Sequence, residues 1–219
     1  MMIKELNIKS FQGGYDDNLC YLLWCIETLE AAIIDPSVNI GPIIKYIDKK
    51  KLKLKKILIT HTHLDHIAYL DDFNILYPNL TICVYENPQK LLNIKYKPLK
   101  HLETLSIGKT LLTCLYTPGH YIDSMCFWSK KEEILFTGDT MFVGRTGRVI
   151  SQTSSIEQLY KSVYKILLKL PHETIIYPGH NYGFKKNISI KENIRLSDFF
   201  KCKTFKEFEY IMNQFEKNR

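Results

Sequence analysis

Apolar residues in this chain gather in short runs, each stopped by a turn residue or a histidine. The opening third reads as successive strands over 3–8, 18–26 and 31–35. Asp35-Pro36 marks the exit from the third of them. Pro42 falls in the first turn of a helix that runs through Lys50, where its missing N–H costs nothing. Residues 57–59 form a short buried strand ending at Thr60. After the next loop an amphipathic helix ends near Pro78, followed by a strand over 81–85 and a short helix over 87–93. Residues 111–116, 125–128, 134–137 and 174–177 read as further strands. Two capping-box patterns, Ser154-x-x-Glu157 and Thr204-x-x-Glu207, each open a helix. The first carries Ile156, Leu159, Val163, Ile166, Leu167 and Leu170 on one face. The second carries a stripe of Phe205, Phe208, Ile211, Met212 and Phe215, which reads as core packing.

Runs of strands broken by helices, twice over, predict an α/β fold. Its expected form is a four-layer αβ/βα sandwich, two mixed β-sheets face to face with helices outside. The length of 219 residues, 45% of them hydrophobic, suits one domain with a sizeable core or two fused half-domains. No long Pro/Gly/Ser linker marks a boundary. No apolar run approaches the roughly 20 residues of a membrane span, and MMIKELNIKSFQGG has no apolar signal core. The cysteines (Cys20, Cys25, Cys83, Cys114, Cys126, Cys202) are scattered without a C-x-x-C pair, so buried reduced thiols in a cytoplasmic protein are expected. The net charge of +7 comes from lysines spread along the chain. The run KKKLKLKK (49–56) alternates Lys and Leu as a solvated strand face would. Neither a membrane nor a nucleic-acid partner is expected, and the sequence assigns no oligomeric state.

The chemistry lies in four loops, each after a strand-like run: THTHLDH (60–66), TPGH (117–120), TGDT (137–140) and YPGH (177–180). A lone histidine is more often structural than a ligand. Here His61, His63, Asp65 and His66 fall within six positions, and His120, Asp139 and His180 join them. His61 and His63 are two apart, so on extended backbone both rings point the same way and reach one cation. Asp65 and His66 come after the chain has begun to turn and can face a second. Donors limited to nitrogen and carboxylate suit zinc, iron or manganese, and disfavour a closed cysteine-type zinc site. Two cations about 3.5–4 Å apart need an anion between them, and Asp139 is the obvious carboxylate. Gly119, Gly138 and Gly179 allow tight turns beside these ligands.

These motifs, in this order and spacing, resemble the metallo-β-lactamase superfamily, specifically its glyoxalase II-like (hydroxyacylglutathione hydrolase-like) branch. The likeness extends to GDTMF (138–142) and YPGHNY (177–182). It implies a catalytic domain over 1–190 with a short helical extension, 191–219, packed on it. By this resemblance His61, His63 and His120 hold one metal, Asp65, His66 and His180 the second, and Asp139 is shared. Two divalent ions per chain are implied, zinc first, with iron or manganese as alternatives. The implied reaction is hydrolysis of a small anionic thioester linked to glutathione, such as S-lactoylglutathione. A hydroxide bridging the metals attacks the carbonyl, with Asp65 orienting it.

Of the family's glutathione-binding residues, Arg148 and Tyr182 match. Ile150 stands where a tyrosine is expected, and Arg145 is a second candidate cation. A surface ion pair is the structural alternative for Arg148. About 35 residues follow YPGHNYG, fewer than the helical region that completes the glutathione site in glyoxalase II proper. A second resemblance is to persulfide dioxygenases, which hold one iron on residues matching His61, His120 and Asp139. Lactone or other small-ester hydrolysis is a further possibility within the superfamily.

Overall fold

The structure, a computed structural model, describes residues 4–218. It contains two six-stranded mixed sheets. In the first, β1 (Leu6–Gly13), β2 (Asn18–Cys25), β3 (Glu30–Ile34), β4 (Lys53–Leu58), β5 (Thr81–Tyr85) and β6 (Lys97–Leu99) lie side by side in chain order. β1, β2 and β3 are antiparallel, and β3 through β6 run parallel. The second sheet runs in reverse chain order: β12 (Ile188–Ser189), β11 (Ile175–Pro178), β10 (Ile134–Gly138), β9 (Met125–Ser129), β8 (Thr110–Tyr116) and β7 (Thr104–Ile107).

Every residue of β2 is buried, which explains why its sequence, NLCYLLWC, does not alternate. Its two faces enter two different cores. Leu19, Tyr21 and Leu23 meet Met125, Phe127 and Phe136 between the sheets. Cys20, Leu22 and Trp24 meet Ile43 and Ile47 of helix α1 (Ile40–Lys50) and Phe73 of α2 (Leu70–Leu76) outside the first sheet. A third core lies outside the second sheet. There α3 (Ile156–Lys161), α4 (Ile190–Leu196) and α5 (Phe205–Lys217) bring Leu159, Ile190, Phe208 and Met212 onto Leu135 and Ile176. Helices, sheet, sheet and helices make the αβ/βα sandwich expected from the sequence. The alternating KKKLKLKK run also resolves as read: Leu52 and Leu54 are buried, while Lys51, Lys53 and Lys55 are exposed. All six cysteines are buried and free. Among the described residues, no helix is long and apolar enough to cross a membrane.

Several local expectations need correction. The first strand begins at Leu6 and continues to Gly13, because each residue through Gly13 finds a partner on β2; Ile3 lies outside the described residues. No helix forms over 87–93. Pro88 disfavours helical backbone at Asn87, and the N–H groups of Gln89 and Lys90 go to Asp123 Oδ2 (2.8 Å) and Thr62 Oγ1 (3.0 Å). Ser155, not Ser154, caps α3, its side chain accepting from Gln158 N. Ser154 Oγ instead donates to the His120 carbonyl (2.7 Å). After Lys161 the helix widens into a π turn over Ser162–Ile166 and then tightens into a 3-10 turn over Leu167–Lys169. Thr204 caps α5 as its pattern indicates, accepting from Glu207 N.

Candidate metal centre

β8, β10 and β11 run in one direction within the second sheet, so the loops leaving their ends share one edge. The loop after β4 of the first sheet meets them there. Met125 N donates to the Thr60 carbonyl (2.7 Å), and Leu19 N donates to the Gly179 carbonyl (2.7 Å), which ties the two sheets together at this edge. All seven ligand-type residues named from the sequence are brought to it. Donor atoms converge in three overlapping sets: His61, His63 and His120; His61, His66 and Asp139; and Asp65, His66 and His180. Within each set the donors lie inside 4.8 Å of one another.

The outer nitrogens of four rings are engaged, and this fixes which nitrogen faces inward. His120 Nδ1 donates to the Arg148 carbonyl (2.8 Å) and His180 Nδ1 to the Asp16 carbonyl (2.6 Å). His66 Nδ1 meets Asp35 Oδ2 (2.9 Å). Thr60 Oγ1 donates to Asp35 Oδ2 (2.6 Å), so its oxygen is free to accept from His61 Nδ1 (3.1 Å). His61, His66, His120 and His180 therefore present Nε2 to the centre, and His63 presents Nδ1. Partners of this kind hold ligand histidines in the metal-binding tautomer.

The inward arrangement fits cations. His61 Nε2 lies 2.9 Å and His120 Nε2 3.1 Å from His63 Nδ1, and the Nε2 atoms of His66 and His180 are 3.1 Å apart. In the neutral rings the protons lie on the far side, so the inward nitrogens have no hydrogen to share; where a ring is charged, its inward nitrogen carries a proton that a cation would displace. Asp139 reaches all parts of the cluster: Oδ1 is 3.3 Å from His66 Nε2, and Oδ2 is 3.3 Å from His180 Nε2 and 3.6 Å from His120 Nε2. Its Oδ1 is buried without a hydrogen-bond partner among the described residues. An orphaned carboxylate oxygen amid inward-facing imidazole nitrogens is the donor set of a His/Asp metal site.

Burial holds His61 well below its ordinary range, and neighbouring imidazoles add to the effect. Burial likewise pushes His63 down to about 4. On His66 burial opposes the charge, but Asp139 and Asp35 outweigh it and the pKa rises well above the usual value. His180 is raised in the same way by Asp139 against its burial. On Asp139 burial works upward, and His66 and His180 overcome it and hold the carboxyl well below the carboxylate range. The metal-free cluster thus keeps positive charge around Asp139, where divalent cations would replace protons.

Sequence reasoning missed the supports. Asp35 is 1% exposed and accepts from Thr60 N, Thr60 Oγ1 and the His66 ring. Asn18 Nδ2 donates to Asp65 Oδ2 (2.8 Å). Asp123 takes both the N–H and the hydroxyl of Thr62 and pins the metal-motif loop. Tyr121 packs its ring 4.0 Å from that of His63. Of these, only Asp35-Pro36 carried a signal, and it read as an ordinary strand exit.

A cavity of about 330 Å³ opens beside the cluster, with His63, His120 and Asp139 at its base and Arg145, Arg148 and Tyr182 on its wall. Tyr182 stacks on His180 (4.8 Å between ring centres), and its hydroxyl donates to Asp16 Oδ2. The Arg145 guanidinium lies 4.4 Å from the Tyr182 ring centre. Arg148 Nε donates to Glu216 Oε2 (2.9 Å), so Arg148 does form the ion pair anticipated as its structural alternative. Ile150 also lines the cavity, at the position where a tyrosine was expected.

Fold and site together define a class. The profile of the metallo-beta-lactamase superfamily matches residues 13–180, and the chain belongs to this superfamily. Among curated proteins, it is 38% identical over 180 residues to a probable hydroxyacylglutathione hydrolase of Schizosaccharomyces pombe, covering 80% of this chain and 68% of that one. It is 35% identical over 200 residues to the hydroxyacylglutathione hydrolase of Francisella tularensis subsp. novicida, covering 90% and 73%. A probable polyketide biosynthesis zinc-dependent hydrolase of Bacillus subtilis is 30% identical over 213 residues, covering 94% and 93%. Among solved structures, ETHE1 from Myxococcus xanthus superposes with a TM-score of 0.85 at 28% identity, covering 95% of this chain and 91% of that one.

Proposed function

We propose that this protein is a metal-dependent thioester hydrolase of the hydroxyacylglutathione type, acting in the cytoplasm on a small anionic substrate. The observation that carries this reading is the mutually facing set of seven ligand-type residues, three of which (His63, His120 and Asp139) form the base of a cavity walled by cationic and aromatic side chains. Relatives named as hydroxyacylglutathione hydrolases support it, and the zinc-dependent hydrolase of Bacillus subtilis supports zinc as the metal. His61, His63 and His120 would hold one cation and Asp65, His66 and His180 the other, with Asp139 common to both. Divalent cations bound there supply Lewis acidity and bring the pKa of water to about 7.

The chain's own groups do the rest. Asp65 is partly exposed, and the Asn18 amide fixes its carboxylate, which orients the attacking water and accepts a proton from it. Asp139, buried and ionised, keeps the cluster's charge balanced. The wall formed by Arg145, Arg148 and Tyr182 faces the carboxylates of a glutathione-linked substrate, with Arg148 sharing its charge with Glu216. Water adds to the thioester carbonyl carbon, the C–S bond breaks, and the sulfur leaves as a thiolate with the bonding pair. In this scheme 1–190 is the catalytic domain and 191–219 its helical extension.

The test is thiol release from S-lactoylglutathione by metal-stripped and zinc-reloaded protein. Release that returns with zinc is expected. Oxygen uptake with glutathione persulfide by an iron-loaded form, without thioester cleavage, would replace this reading with the one-iron oxygenase.

A further inference from the structure

α5 belongs to the outer helix layer, yet three of its side chains reach one loop beside the metal centre. Met212 Sδ accepts from Thr146 Oγ1 (3.2 Å), and the Phe215 ring centre lies 5.1 Å from the Arg145 guanidinium. Glu216 engages the loop with both oxygens: Oε2 accepts from Arg148 Nε (2.9 Å) and Oε1 from Val149 N (3.0 Å). The same loop forms the wall behind His120. The Arg148 carbonyl takes the His120 Nδ1–H (2.8 Å). A Cβ added at Gly147 would lie 3.0 Å from His120 Cγ and Nδ1 and 1.9 Å from the Asp139 carbonyl oxygen, so backbone and ring are in direct contact.

We propose that Glu216 is a positioning residue for the metal centre, acting on His120 through the backbone of 147–149. The path is continuous: Glu216 carboxylate, Val149 N–H and Arg148 guanidinium, Arg148 carbonyl, His120 Nδ1, His120 Nε2. A surface ion pair between Arg148 and Glu216 alone would contribute little and would leave His120 untouched. Two features set this contact apart. The second carboxylate oxygen is spent on backbone rather than on charge, and the Glu216 side chain is only 17% exposed. The C-terminal helix thereby sets the tilt and tautomer of a ligand on the opposite side of the loop.

This inference rests on reading the histidine cluster as a metal site, and is independent of the substrate. Its test is titration of metal-stripped protein with Co²⁺, reading affinity for each cation and the cobalt absorption bands, with thermal unfolding of the metal-free forms alongside. Binding of two Co²⁺ by the wild type establishes the metal reading by itself. E216A leaves the Arg148 carbonyl in place, so it is expected to weaken the position that uses His120 by up to about 10-fold, the low end for loss of a direct outer partner, and to shift its cobalt bands. The near-isosteric E216Q, which keeps an acceptor for Val149 N–H, is expected to fall between E216A and wild type. The position held by Asp65, His66 and His180 should change far less. Wild-type affinity and spectra in both variants, or equal weakening of both positions, would overturn the proposal.

Discussion

At the scale of single residues, four of the inward-facing rings are each held by a partner on the far side, and Asp35 serves two of those positions by binding His66 and Thr60. Histidines and aspartates crowded into short loops after apolar strands announce themselves, because no folding role requires them there. Asp35 has no such signature. It is contributed from another strand end, and only the folded chain shows it gathering Thr60 and His66. The Asp35→Ala variant is expected to lose about 10–100-fold in zinc affinity or kcat, as outer partners of metal ligands generally do, measured by chelator competition and steady-state rates. Charge makes a second residue-level prediction. His66 and His180 have raised pKa values in the metal-free protein, so below those values each ring carries a proton that a cation must displace. Zinc added to weakly buffered, metal-stripped protein near neutral pH should release protons, and affinity should climb as pH rises through the His66 and His180 titrations. His63, with a pKa pushed down to about 4, is already neutral there and contributes none. A titration without proton release would contradict this charge assignment.

At the scale of elements, long or strongly patterned segments were readable, and short edge segments were not. β2 announces two-sided burial through an unbroken apolar run, and α5 announces one packed face through its stripe. β6, β7 and β12 are brief edge strands with too few residues to set a period. The segment over 87–93 is shaped by Asp123 and Thr62, partners no local pattern reveals. The loop after β11 makes the sharpest demand. Its Gly179 needs no unusual turn; instead a Cβ there would stand 2.3 Å from Asp139 Oδ1 and 2.6 Å from His66 Cε1. Gly179→Ala must therefore displace a ligand carboxylate or ring. Overpacking of this kind costs about 1–3 kcal/mol of stability, and zinc affinity should fall at least tenfold, read by denaturant unfolding and metal competition. Normal zinc binding in this variant would mean that β11 and β10 approach less closely than described.

At the scale of the whole molecule, the two sheets matter chiefly because their edge loops meet. Strand direction in the second sheet puts three ligand loops on one side, and contacts from Met125 and Leu19 draw the first sheet's metal-motif loop onto them. Sequence pattern alone could name the layers, since apolar periodicity is local. It could not show that the C-terminal helix reaches back to the cavity wall, because that contact spans 68 residues from Arg148 to Glu216. The convergent loops are proposed to hold two cations together. Native mass spectrometry of the metal-stripped chain under added zinc tests it most directly. A dominant species carrying two zinc ions is expected in the wild type, with loss of at least one in an Asp139→Ala variant. A wild-type chain that takes up a single ion or none, or a variant that still carries two, would contradict it.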